Sequence, residues 1–152
     1  PKIVAPLIIN LNGNMQNPHL LERPSKKYYM IRKIFSSSIY LWGFWNLIGI
    51  LKKNLLQKNK MKDVDNIYAG HGSFIIFENV PVNYLVDSNF NFLYGEEIHF
   101  AEIARSLKIP INFNKDILIK HFEHTSTKSI KEAVKAKYYY QSYNEILKRY
   151  YL

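Results

Sequence analysis

Residues Phe92 to Phe113 read FLYGEEIHFAEIARSLKIPINF, and the change of period inside this stretch sets the fold class. From Glu96 the apolar residues Phe100, Ile103, Ala104 and Leu107 recur at i, i+3, i+4 and i+7, which predicts a helix over Glu96–Leu107 with that stripe facing inward. Two carboxylates, Glu96 and Glu97, open the helix directly after Gly95. Behind it the chain turns to short β-branched runs, so strands are predicted at Ile109–Phe113 and Ile117–Lys120, ending on His121-Phe122-Glu123-His124. A helix placed between strands makes the chain mixed α/β.

Upstream, Ile3–Asn10 is a mostly β-branched run that closes on Asn12-Gly13-Asn14, read as a strand followed by a turn. Leu20–Lys33 is polar and basic, a surface segment entering a helix near Lys26. Ile34–Leu51 carries no charge over eighteen residues and contains Trp42, Phe44 and Trp45 between Arg32-Lys33 and Lys52-Lys53. That length is the lower limit for a spanning helix, and three serines, Asn46 and two glycines lower its hydropathy. The segment is therefore read as a buried core helix first and an interfacial or partner-packed one second, not as a span. Lys52–Lys62 is a loop or the solvated end of that helix. Ile67–Phe77 reads as a strand interrupted at Gly70-His71-Gly72-Ser73, where glycines permit close backbone approach. Asn83–Tyr94 reads as an aromatic, Asn-rich loop. Downstream, a long helix over Ser129–Tyr150 presents Ile130, Ala133, Val134 and Tyr138 on one side.

The 152 residues suffice for one domain, and with no cysteine neither disulfides nor a Cys-ligated zinc site can form. A reducing cytoplasm is compatible with this. Pro1 is not an initiator residue and no basic-then-apolar leader follows it, so the chain reads as an excised or processed piece. The net charge of +9 is uneven: residues 1–62 carry +10, residues 63–109 carry −5, and residues 110–152 carry +4. A basic shell of this kind attracts nucleic acid, anionic lipid or a phosphate-bearing substrate, and charge alone does not choose among them. No RNP-like, KH or finger motif accompanies it.

Adjacent carboxylates at a helix start can divide labour, one held ionised while the other orients a substrate hydroxyl, although acidic residues also favour any first helical turn because they complement the dipole. His121 and His124 lie three apart, close enough for two imidazoles to approach one ion or phosphate, and Ser126 or Thr127 fits a helix cap.

The order of these pieces resembles the second half of bacterial family 2 glycosyltransferases of the GT-A fold. Pro1–Asn10 with Gly13 resembles that family's strand leading to a P-x-I-x-N-x-x-G turn; His71-Gly72-Ser73-Phe74 its Gly-Ser step; Phe92-Leu93-Tyr94-Gly95-Glu96-Glu97 its F-x-Y-x-E-D motif; and His121–Thr127 its H-x-x-H-x-S-T segment. Glu97 stands where Asp is more frequent, His99 where an acidic or apolar residue is commoner, and Lys108-Ile109 where a Gly-aromatic pair is usual. The family's nucleotide-binding strands and Asp-x-Asp motif would precede Pro1. Asp63-Val64-Asp65 has that spelling but comes too late in the order.

The resemblance implies a partial GT-A-type mixed sheet with flanking helices and a long C-terminal helix, residues 1–152 forming the acceptor-side part of one glycosyltransferase domain. It implies transfer of a sugar, with inversion, from a nucleotide diphosphate sugar to a hydroxyl of a saccharide or lipid-linked acceptor, in cell-surface polysaccharide or glycolipid synthesis. Glu97 is then the general base and Glu96 its partner; Gly72, Ser73 and Tyr94 bind substrate; His121 and His124 help the absent Asp-x-Asp hold Mg²⁺ or Mn²⁺. The chain alone is expected to be inactive, without tightly bound metal, prone to self-association, and cytoplasmic or peripheral to the inner face of the plasma membrane. The alternative expectation is a basic, non-catalytic domain that binds membrane surfaces or nucleic acid.

Overall fold

The computed structural model describes residues 1–55, 64–81, 94–122 and 129–152. Its elements are β1 (Lys2–Asn10), α1 (Lys26–Phe35), α2 (Ile39–Leu55), β2 (Asn66–Ile67), β3 (Ile76–Glu78), α3 (Glu96–Ser106), β4 (Ile111–His121) and α4 (Glu132–Tyr150). The protein is thus mixed α/β, as the sequence implies. It divides into two compact units. One comprises Pro1–Arg23, Asp63–Phe90 and Glu96–Lys128; the other comprises Pro24–Lys62, Asn91–Gly95 and Ser129–Leu152.

The first unit is built on a mixed four-stranded sheet of order β2-β4-β1-β3. β1 runs parallel to β4 and antiparallel to β3, and β2 runs antiparallel to β4. Ile3, Val4, Ala5, Pro6 and Ile8 are all buried, the continuous run expected of a central strand covered on both faces. Pro6 has no N–H to give the ladder, and the register breaks there: Pro6 faces Asn114 while Leu7 faces Leu118. The Asn114 side chain accepts from the backbone of Asp116 and Ile117 at 2.8 and 3.3 Å, folding the extra residues into a local turn. The two short strands expected at Ile109–Phe113 and Ile117–Lys120 are therefore two halves of one irregular strand.

The expected strand Ile67–Phe77 is likewise corrected, in the opposite sense. Its ends pair at opposite edges of the sheet, β2 beside β4 and β3 beside β1, so the intervening residues must cross both central strands. A Cβ on Gly70 would lie 2.8 Å from Ala5 Cβ, which shows how closely the crossing segment passes β1. α3 ends in a Schellman motif. Ile109 N–H donates to Ala104 O and Lys108 N–H to Arg105 O, with Lys108 in the left-handed region at φ 56°.

The buried residues of α3 are Ile98, His99, Ala101, Glu102 and Ala104, so of the expected stripe only Ala104 is fully buried. The helix is turned to bury Glu102, 3% exposed, because three donors meet its carboxylate: Arg23 Nε at 2.6 Å, Tyr68 Oη at 2.7 Å and Arg105 Nε at 2.8 Å. Burial raises the Glu102 pKa, but these hydrogen bonds outweigh it and hold the carboxyl below its ordinary value.

The second unit is helical. Ser25 caps α1 by accepting from Tyr28 N–H. The uncharged Ile34–Leu51 segment does not form one helix: Ser36 and Ser37 bond back to the carbonyls of Arg32 and Ile34, α1 stops, and Ser38 starts α2 by accepting from Leu41 N–H. Nor is α2 a wholly buried core helix, since Trp42 is buried whereas Tyr40, Phe44 and Leu47 are exposed. Trp42 donates to Glu132 at 2.9 Å and stacks on Tyr139 at 5.0 Å, while Arg32 lies over the rings of Tyr28, Trp45 and Tyr143. α4 begins after Ile130, and Ala133 and Val134 are exposed. It buries Ala136, Ser142, Tyr143 and Ile146 instead, because the large rings of the Tyr138–Tyr143 stretch cover more area than the aliphatic side first expected. Among the described residues no helix is long and apolar enough to cross a membrane.

Candidate active site

The parallel pair β1 and β4 sets the site's floor, since Asn10 and His121 pair at their shared carboxyl ends. After β1 the chain turns at Asn10–Asn14, where the Asn10 side chain accepts from Asn12 and Asn14 N–H and Gly13 takes φ 74°. It then doubles back, with Gln16 N–H donating to Ile8 O at 2.8 Å. This return places the Gln16 amide oxygen 2.8 Å from His121 Nδ1. With that oxygen accepting, His121 Nδ1 is the donor of the pair.

Asn17, 1% exposed, ties the crossing segment to β1: its Nδ2 donates to Pro6 O at 2.8 Å and its Oδ1 accepts from His71 N–H at 2.7 Å. His71 Nδ1 accepts from Ser73 N–H at 3.2 Å and lies 2.9 Å from Ser73 Oγ, so its proton is on Nε2. The rings of His71 and His121 are 5.4 Å apart, edge to face, with His19 5.8 Å beyond His71. Beside them, a Cβ on Gly72 would lie 3.0 Å from Glu97 Oε1 and 3.1 Å from its Cγ. The missing side chain of Gly72 is therefore the space that the Glu97 carboxylate uses.

Glu97, Gly72, Ser73 and His121 are thus gathered around the His71-Gly72 step, and Glu96 precedes Glu97 at the start of α3. Tyr94 belongs to the helical unit, where its ring stacks on Tyr139 at 4.0 Å and its carbonyl accepts from Ser142 Oγ. His124 lies outside the described residues. Sequence reasoning missed Gln16 and Asn17, whose only signal was two amide side chains directly after a turn, and gave His71 no role of its own. Among the described residues no group of three or more His, Asp or Glu could hold a metal ion. Two imidazoles, each with Nδ1 already hydrogen bonded, also lack the oxygen donors that Mg²⁺ or Mn²⁺ prefers.

Chemically, the arrangement offers a carboxylate held against a glycine and, next to it, two imidazoles whose Nδ1 atoms are each hydrogen bonded. Carboxylates and imidazoles are the side chains that exchange protons with, and hydrogen bond to, oxygen-rich ligands. No protein-family model, curated protein or solved structure matches the chain.

Proposed function

We propose that this chain is the acceptor-side part of a GT-A glycosyltransferase, which transfers a sugar from a nucleotide diphosphate sugar to an acceptor hydroxyl. The observation that carries the reading is the meeting of segments far apart in sequence: the turn after β1, the His71-Gly72 step, the start of α3 and the end of β4. Each of these is also a segment on which the sequence resembles that family, and the carboxyl ends of parallel strands are where open α/β sheets bind ligands.

In this reading Glu97 takes the proton of the attacking hydroxyl, and Glu96 disfavours a second charge beside it and orients the acceptor. Gly72 keeps the carboxylate close to the backbone, so that it approaches the acceptor from one direction. His121, oriented by Gln16, faces the diphosphate side, and a divalent ion, which would neutralise leaving-group charge, would take its carboxylates from a nucleotide-binding half outside this chain.

The test uses the chain joined to such a half. Glu97→Gln should cut turnover by about 10²–10⁴-fold with donor binding nearly intact, and His121→Ala should weaken donor binding as well. Calorimetry on the 152-residue chain alone should show no tight nucleotide-sugar binding. Full turnover in Glu97→Gln would remove Glu97 from its role, and tight binding by this chain alone would overturn the division of labour.

A further inference from the structure

We propose that α1 and α2 of the helical unit form a docking surface for an anionic lipid bilayer, with the outer face of α2 set into the headgroup boundary. The two sides of α2 differ in what they meet. Trp42 is locked by Glu132 and Tyr139, and Trp45 packs on Phe35 beneath the Arg32 guanidinium. The other side carries Tyr40, Phe44 and Leu47 at i, i+4 and i+7, exposed by 87, 55 and 54% and flanked by the exposed Ile39 and Ile48. A water-facing helix surface is ordinarily polar, and this one has no charged residue between Ile34 and Leu51.

The charge of the sequence that carries this face selects the occupant. From Pro24 to Lys62 there are nine Lys and Arg and no Asp or Glu. A groove of about 510 Å³ in the same unit is lined by Met30, Ile34 and Leu147 together with Lys26, Lys33 and Lys148, repeating the pairing of apolar surface with cations. A bilayer bearing anionic headgroups satisfies both properties at once, taking apolar side chains into the acyl boundary and lysines to the phosphates. A second copy of the chain would bring like charges together, and a nucleic acid would leave the α2 face in water. Because no helix among the described residues can cross a membrane, the contact lies in the plane of the interface.

Flotation of the full chain with phosphatidylcholine vesicles, with and without phosphatidylglycerol, tests the proposal. Binding should require phosphatidylglycerol and be released by salt. Lys26→Ala and Lys27→Ala should each weaken it about fivefold, and the double variant Tyr40→Glu/Leu47→Glu by about tenfold or more. Both substituted side chains of that variant are exposed, so its circular dichroism should match the parent's, and an unchanged spectrum separates lost binding from lost folding. Equal binding to neutral vesicles would overturn the proposal, as would indifference to the α2 substitutions. So would a dimer abolished by those substitutions in a chain that ignores lipid, or binding to an oligonucleotide in place of vesicles. The assay involves neither donor nor acceptor, so its failure leaves the glycosyltransferase reading standing, and inactivity of Glu97 leaves the membrane surface standing.

Discussion

Replacing Glu102 by glutamine removes one charge from the most buried carboxylate among the described residues of the sheet unit while keeping its shape. In the native protein Oε1 accepts from Arg23 and Tyr68, and Oε2 accepts from Arg105, so both oxygens are used by donors. A glutamine has one carbonyl oxygen, and its NH₂ must then face at least one of these donors. Hydrogen bonds to a charged group contribute about 1.5–3 kcal/mol each. The loss is reduced because Arg23 and Arg105 side chains retain 33 and 57% exposure and recover water. A net destabilisation of roughly 2–4 kcal/mol at neutral pH follows, within the range for disrupting a buried charged network. The pH dependence gives a second readout. Because the folded carboxyl has a lowered pKa, its stabilisation is present above the unfolded value of about 4.3 and is lost as pH falls through the folded value. Below about pH 4.3 the parent should therefore lose stability faster than Glu102→Gln, by up to about 1.4 kcal/mol per pH unit. Urea unfolding at a series of pH values from neutral to acid measures both quantities. A loss under about 1 kcal/mol at neutral pH, or a parent–variant difference that does not narrow in acid, would refute the assignment of Glu102 as the charged centre of this cluster.

Two further substitutions probe the backbone. Gly70→Ala places a methyl 2.8 Å from Ala5 Cβ, and since neither atom is the end of a flexible chain, a cost of about 1–3 kcal/mol is expected in chemical denaturation. Lys108→Gly relieves a left-handed residue at the α3 terminus and should stabilise by up to about 1 kcal/mol, read as a rise in the urea midpoint at constant slope.

Local pattern was enough wherever one element satisfies itself. The β-branched Ile3–Asn10 strand, the Asn-Gly turn after it, the start of α1 at Lys26 and the acidic opening of α3 all follow from residues within a few positions of one another. Each depends on chain propensity, capping or turn chemistry, and these act over one turn of helix or one hairpin.

What only the tertiary structure decided is which face each element buries and which segments share an edge. Glu102 lies off the apolar stripe read from the sequence, and its burial rests on Arg23 and Tyr68, from two distant segments, together with Arg105 on its own helix. Ile67–Phe77 read as one strand interrupted at Gly70-His71-Gly72-Ser73, yet sheet order places its ends at opposite edges with two strands between them. The serines at 36–38 could belong to a helix or break one, and the aromatic packing that α2 gains by turning there, Trp42 on Tyr139, comes from α4 nearly a hundred residues later. The same holds for the site. Gln16 and Asn17 carry no signature of their own, and they matter because the chain returning along β1 brings two amides to the side of His121 and the backbone of His71, a closeness set by the sheet's register rather than by their neighbours in sequence.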